Sequence, residues 1–280
     1  MVLYDLHTHS NVSDGTMSPA ELIQEAAKEG LTTIALTDHD NTGGCAEAAA
    51  EADKLSIRFI PGVEISAAEY SELHILGLGI DPDNETLNAE LKKSVASRTE
   101  RVYGICKVLR GLGVDLDAEK ILADASGSVG KPHIAAAIEQ AGYAKPGEGY
   151  DKYMKLPEVK AVQRYKLGYE RAADLIHDAG GLVILAHPFK IKLSDTELES
   201  FIKNFDGLDG LEAFYSDHNV AQTGKLIRFA EKYDLLVSCG SDFHGDNKPG
   251  IRLAAGRDNL LLKCREPFAV DPMRLVINAL

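Results

Sequence analysis

His7 and His9 stand two residues apart in DLHTHSNVSDG (residues 5–15), directly behind the apolar opening of the chain. Side chains at i and i+2 on an extended segment point to the same side, so the two imidazoles can grip one cation. Further candidates sit where other strand-like runs end: His39 in TDHDN, Glu64 in GVEIS, His187 in AHP, and Asp242 and His244 in GSDFH. Asp14 closes the opening cluster, although an Asp-Gly pair is by itself a turn signal. His74 heads its run, HILGLGI, so it reaches the same rim only if that strand runs antiparallel or its loop folds back. A single histidine beside a strand is more often a core or surface group than a ligand. Six of the nine histidines, all but His133, His177 and His218, share this placement with three carboxylates. The joint pattern predicts a site for several metal ions.

Bringing these residues together requires strands that deliver their ends to one place. The run Val2–Leu6 reads as a strand, and SPAELIQEAAKEG reads as a fully punctuated helix. Ser18 is its expected N-cap, Pro19 occupies the first helical position, Glu21 completes a capping box, and Gly30 ends it. TTIALTDH, IRFIPGVEIS, HILGLGI, GLVILAHP, LDGLEAFY and LLVSCGSDFH then alternate with helical stretches. That alternation implies an α/β protein of βα units around a mainly parallel sheet or barrel, in which functional groups collect at the C-terminal strand ends. Between Asp83 and Pro157 the strand signals vanish, and three helical stretches (84–111, 117–125 and 131–142) read as an insertion.

Composition sets limits on partners. An apolar fraction of 45% with 26% charged residues suits a globular chain with a full core. No apolar run reaches the length of a membrane span, and the N-terminus lacks the pattern of a signal peptide. Cys45, Cys106, Cys239 and Cys264 are isolated, so reduced thiols and a cytoplasmic location are expected. The net charge of −13 speaks against stable binding of long nucleic acid. Residues 92–171 nevertheless carry 15 Lys/Arg against 10 Asp/Glu. That stretch is either a solvated helical surface or a basic cap over an acidic mouth.

Together, DLHTHSNVSDG, TDHDN, GVEIS, AHP and GSDFH resemble the motif series of the polymerase-and-histidinol-phosphatase (PHP) family of metal-dependent phosphoesterases. They occur in family order along nearly the whole chain. The resemblance implies a distorted (β/α)7 TIM-like barrel, with residues 1–82 and 158–280 as the barrel and 83–157 as a helical insertion. It further implies two to three divalent ions, with Mn²⁺ expected over Zn²⁺ or Fe²⁺. Carried over, His7, His9, Glu64 and Asp242 would hold one ion. Glu64 would bridge to a second on His74 and His187, and Asp14, His39 and His244 would hold a third. Many family members have His at the position of Asp14, and an oxygen ligand there favours a harder ion such as manganese. Asp38 and Asp40 are expected behind His39, orienting it or a bound water. Paired cations about 3.5–4 Å apart neutralise phosphate oxygens and convert a bridging water to a metal-bound hydroxide that attacks phosphorus in line.

The insertion should select the ester. Arg98 and Arg101, at i and i+3, either fork onto one phosphate or are two solvated arginines. SGSVGKPHIA places Ser126, Ser128, Lys131 and His133 where a glycine-rich turn enters a helix, either an anion site or an ordinary helix start. Both motifs resemble the PHP branch that hydrolyses nucleoside 3′,5′-bisphosphates and short 5′-phosphorylated oligonucleotides. His218 is either a helix-capping surface residue or the general acid for the leaving alkoxide. The expected activity is therefore removal of a phosphate from a nucleoside 3′,5′-bisphosphate to give the 5′-monophosphate. A small-molecule nucleotide is the expected partner and short RNA a second, with no membrane. A histidinol-phosphate-type phosphatase and a non-catalytic binding module are the alternatives.

Overall fold

The punctuation read around residue 18 is realised in full. In the computed structural model, which describes residues 3–125, 128–257 and 275–280, helix α1 runs Pro19–Lys28. Ser18 Oγ accepts from Glu21 N, and the Glu21 carboxylate accepts from Ser18 N. Gly30 follows with φ +77°, a left-handed conformation that costs glycine least. Leu22, Ile23 and Ala26 form the buried stripe of α1 and pack on β2 (Thr33–Leu36) and α2 (Cys45–Leu55). Full burial of each large aliphatic group contributes roughly 1.5–3 kcal/mol.

β1 (Tyr4–Asp5), β2, β3 (Arg58–Ser66), β4 (His74–Leu78), β5 (Leu182–Leu185), β6 (Gly210–Tyr215) and β7 (Leu236–Gly240) form one sheet in sequence order. β1 returns to β7: Leu6 N donates to Cys239 O at 3.0 Å, and Thr8 runs parallel beside Phe243. The sheet therefore curls into a nearly closed seven-stranded barrel, as expected. One strand departs from a uniform (β/α)7 design. β4 is antiparallel to both β3 and β5, with no helix between β3 and β4. This reversal resolves the position of His74. As the first residue of β4 it pairs with Ser66, the last residue of β3, and so lies on the rim where the parallel strands end.

The helical insertion follows β4. α3 (Glu85–Gly111), α4 (Ala118–Asp124) and α5 (Lys131–Gln140) match the three expected stretches within about two residues. A π-helical turn at Tyr150–Met154 and α6 (Pro157–Lys160) complete it. α3 joins two cores. Leu87 and Leu91 pack into the barrel, whereas Val102, Ile105 and Leu109 pack with Ile134, Ile138, Met154 and Val159 in a separate cluster. α7 (Tyr169–Asp178), α8 (Asp195–Asn204) and α9 (Val220–Lys232) lie between the remaining barrel strands in sequence. The short ribbon β8–β9 (Ile251–Arg252 and Gly256–Arg257) and α10 (Val276–Ala279) end the described chain. Cys45, Cys106 and Cys239 are buried thiols, and Cys264 lies outside the described residues. Among the described residues no helix is long and apolar enough to cross a membrane.

Candidate metal centre

Alternation along the first strand and its exit loop sets the geometry. Thr8 turns away from the site and donates its hydroxyl to Ala35 O at 2.6 Å, while His7 and His9 face inward with ring centroids 5.2 Å apart. Asp242 N donates to His7 O and His9 N to Phe243 O, which lays the GSDFH segment alongside. His39, just beyond β2, bridges to Glu64 on β3. All nine expected ligands thereby reach one end of the barrel.

Glu64 is their centre. Its Oε2 lies 3.3 Å from His7 Nε2, 3.2 Å from His9 Nε2 and 3.0 Å from His39 Nδ1. Its Oε1 lies 2.8 Å from His74 Nδ1 and 3.0 Å from His187 Nε2. Asp242 Oδ1 faces His9 Nε2 and His244 Nδ1, each at 3.4 Å, and Asp14 Oδ1 faces His244 Nε2 at 3.2 Å. Among the described residues three overlapping groups bring their ligand atoms within 4.8 Å: His7, His9, Glu64 and Asp242; His9, Asp14, His39 and His244; His39, Glu64 and His74. The first is the set the resemblance implied. The other two differ from it: His9 joins the Asp14 group, and His39 takes the place beside Glu64 and His74 that was assigned to His187. His187 still touches Glu64 from the neighbouring strand end.

The donor set fits divalent cations. His7 Nε2, His9 Nε2, His39 Nδ1, Asp14 Oδ1 and Glu64 Oε2 are all buried without a hydrogen bond. Buried polar atoms normally find a partner, and converging lone pairs find one in a metal ion. Electrostatics agree. Burial alone would raise the Glu64 carboxyl, but His39, His74 and His7 hold it well below the usual range. Burial likewise opposes, and Lys248 and His7 outweigh it to hold, a low Asp242. Burial pushes His244 down to about 4 and His187 well below its ordinary value, which leaves both neutral and able to ligate. Burial also opposes protonation of His9, yet the Asp242 and Glu64 carboxylates beside its Nε2 raise it to about 9, so a bound cation displaces a proton there. Asp242, His187 and Asp40 have φ of 57°, 29° and 52°, strained values that cluster at functional sites.

Several residues behind the ligands carried no clear sequence signal. Glu212, wholly buried on β6, accepts from His7 Nδ1 at 2.9 Å and from His187 N at 2.7 Å. Such a carboxylate fixes which ring nitrogen is left for a metal. Its only mark was an acid inside the apolar run LEAFY. Asp5 accepts from Ser241 N and Ala254 N and ties β1 to the loop after β7. Tyr215 and Lys248 donate to Asp242 Oδ2 at 2.8 and 2.6 Å.

The roles expected around the ligands need correction. Asp38 does not orient His39; it accepts from Ser10 N, Ser10 Oγ and Ser13 Oγ and so braces the loop that carries His9. Asp40 instead accepts from Arg98 Nε and Nη2 at 2.9 and 2.6 Å, with Arg164 Nη1 at 3.4 Å. Arg98 is therefore buried in a pair with an acid 58 residues away, not available with Arg101 as a two-armed fork. His133 Nδ1 accepts from Gly130 N and caps α5, so that ring nitrogen serves the helix. Ser128 is buried, and its N–H donates to Val12 O, which docks the insertion on the metal-binding loop. Ser126 lies outside the described residues. His218 is not a surface cap: Asn219 caps α9, and His218 is buried. Its ring packs against Tyr215 and Phe189, and Nδ1 bonds Ala213 O at 3.1 Å. Burial lowers its pKa to about 4. A neutral imidazole committed to a backbone carbonyl is poorly suited as a proton donor.

Above the ligands lies a cavity of about 250 Å³. The ligands Asp14, His39, Glu64, His74, His187, Asp242 and His244 form its floor, and Arg98, Arg101, Lys131, Arg164, Lys190 and Lys248 surround them. Anionic and cationic groups facing one space suit a phosphate held between metal ions and basic side chains.

Comparison with known proteins agrees. The family profile described as PHP domain matches residues 5–191. A 5′-3′ exoribonuclease of Haemophilus influenzae is 35% identical over 86% of this chain and 89% of its own. A 3′,5′-nucleoside bisphosphate phosphatase of Chromobacterium violaceum is 34% identical over 89% and 90%. A solved chain from Bifidobacterium adolescentis, provisionally described as a metal-dependent phosphoesterase, superposes with TM-score 0.77 at 30% identity over 96% of this chain and 97% of that one.

Proposed function

The chain belongs to the PHP domain family and is a hydrolase, and we propose that it removes a phosphate from nucleoside 3′,5′-bisphosphates to leave the nucleoside 5′-monophosphate, with short 5′-phosphorylated oligoribonucleotides as further substrates. The single observation that carries this reading is the cavity itself, in which seven of the nine convergent candidate ligands face six basic side chains across a space sized for a small ester. His7, His9, Asp14, His39, Glu64, His74, His187, Asp242 and His244 would hold two to three divalent ions, with manganese favoured by the oxygen of Asp14. Such ions supply Lewis acidity at a phosphoryl oxygen and lower the pKa of bound water.

The chain's own residues do the rest. Glu212 orients His7, and Asp38 braces the loop of His9. Arg101 and Lys131, which form no ion pair among the described residues although Glu72 lines the same wall, are placed for the second phosphate, which a histidinol-phosphate-type ester lacks. Arg98 and Arg164 keep a net positive charge after sharing Asp40. The insertion over 83–157 thus acts as a substrate cap. The buried reduced thiols support a cytoplasmic location.

Phosphate release by manganese-loaded protein tests this reading, with adenosine 3′,5′-bisphosphate beside histidinol phosphate. The bisphosphate should lead by about tenfold or more in kcat/KM. Equal rates, or preference for histidinol phosphate, would refute it.

A further inference from the structure

The cavity over the ligands continues into a larger cleft of about 800 Å³, which shares Glu72, His74, Arg101, Lys131, Tyr150 and Arg164 with it. Binding one nucleotide over the metal centre leaves the outer part of this cleft without a role. Its wall comes from the β3–β4 loop, the π-helical turn with α6, and Lys192 after the His187 turn. Seven Lys/Arg line it against two carboxylates, Glu69 and Glu72. Lys155 is paired with Asp151, but Lys160 and Lys192 form no ion pair among the described residues. Burial, and then Arg164, pushes Lys166 down to about 8, against the opposing pull of Asp40 and Glu72.

Aromatic faces accompany this charge. Tyr70 and Tyr150, 37% and 42% exposed, are large side chains left open to solvent, and both line the cleft. A groove with more cations than carboxylates and with exposed rings is the chemistry that binds single-stranded nucleic acid, with backbone on the charges and bases on the rings. A simple polyanion would use the lysines and ignore the tyrosines.

We propose that the outer cleft holds the nucleotides next to the one over the metal centre in a single-stranded oligonucleotide, with Lys160 and Lys192 on phosphates and Tyr70 against a base. This assignment rests on the proposed phosphoesterase reading and deepens it by giving the further nucleotides of a short strand a place outside the metal centre.

The test uses manganese-loaded protein, Tyr70→Ala and the double variant Lys160→Ala/Lys192→Ala. None of these residues lines the inner cavity. Anisotropy follows binding of a labelled, 5′-phosphorylated tetra-adenylate with phosphorothioate linkages. Tyr70→Ala should weaken it about tenfold, the effect of losing one stacked base. The double variant should lower the slope of log affinity against log salt by about 1.4, as for two single-strand phosphates. Hydrolysis of adenosine 3′,5′-bisphosphate should stay within about twofold in all variants. Wild-type-like binding by both variants, or competition by tripolyphosphate as strong as by the oligonucleotide, would overturn the assignment. Failure of the wild type to hydrolyse the bisphosphate would instead refute the functional reading, and binding would still decide the cleft.

Discussion

Asp242 concentrates the chemistry of the centre in one side chain. One oxygen faces His9 and His244, and the other accepts from Tyr215 and Lys248. Asn preserves its shape and tolerates its φ of 57°, but removes the anion. Asp242→Asn should therefore lower kcat by about 100-fold or more while leaving the Tm of the metal-free protein nearly unchanged, and wild-type turnover would refute its role. Glu212→Gln should weaken metal affinity by about 10- to 100-fold through His7, measured by competition with a chelating dye. Arg101→Ala should raise KM for a bisphosphate more than for a simple monophosphate ester, and equal effects would remove the cap from recognition. The candidate ligands other than His74 were legible because they lie near or after the end of a strand-like run, so residue type and position spoke together. Arg98 was misread because its partner Asp40 lies far away in sequence, where helix spacing carries no information. Glu212 and Asp5 stayed hidden because an acid within or beside an apolar strand reads as an ordinary interruption until the barrel closes around it.

Among the elements, α1 shows how far local rules reach. Its cap, capping box and terminal glycine are neighbours in sequence, so the helix and its bounds followed from residues 18–30 alone. β4 shows where they stop. Period and composition identify a strand but not its direction, and only pairing with β3 and β5 brings His74 to the rim. The π-helical turn at Tyr150–Met154 also lacked a signal, since one turn is too short for a periodic pattern. β7 carries a further constraint. A Cβ on Gly240 would run into His7 and Glu212, so this strand must lack a side chain where the His7–Glu212 pair crosses it. Gly240→Ala should cost about 1–3 kcal/mol, read as a fall in Tm, and should weaken metal binding as well. Unchanged Tm and affinity would show that the pair can move aside.

Across the whole molecule, two cores meet along α3: the barrel delivers the ligands, and the insertion lays cationic residues over them. The charge imbalance along the chain had already separated these halves, with an acidic remainder and a net positive stretch at residues 92–171. That contrast now has a spatial meaning, since both signs face one cavity. Cations bound only by the folded state must also stabilise it. The measurement that bears most directly on the centre is elemental analysis of the purified chain, dialysed against manganese, with wild type and Asp242→Asn side by side. About two to three divalent ions per wild-type chain are expected, with a clear loss in the variant. Fewer than one ion per chain in the wild type, or equal loading of both proteins, would contradict a metal centre built from these nine side chains.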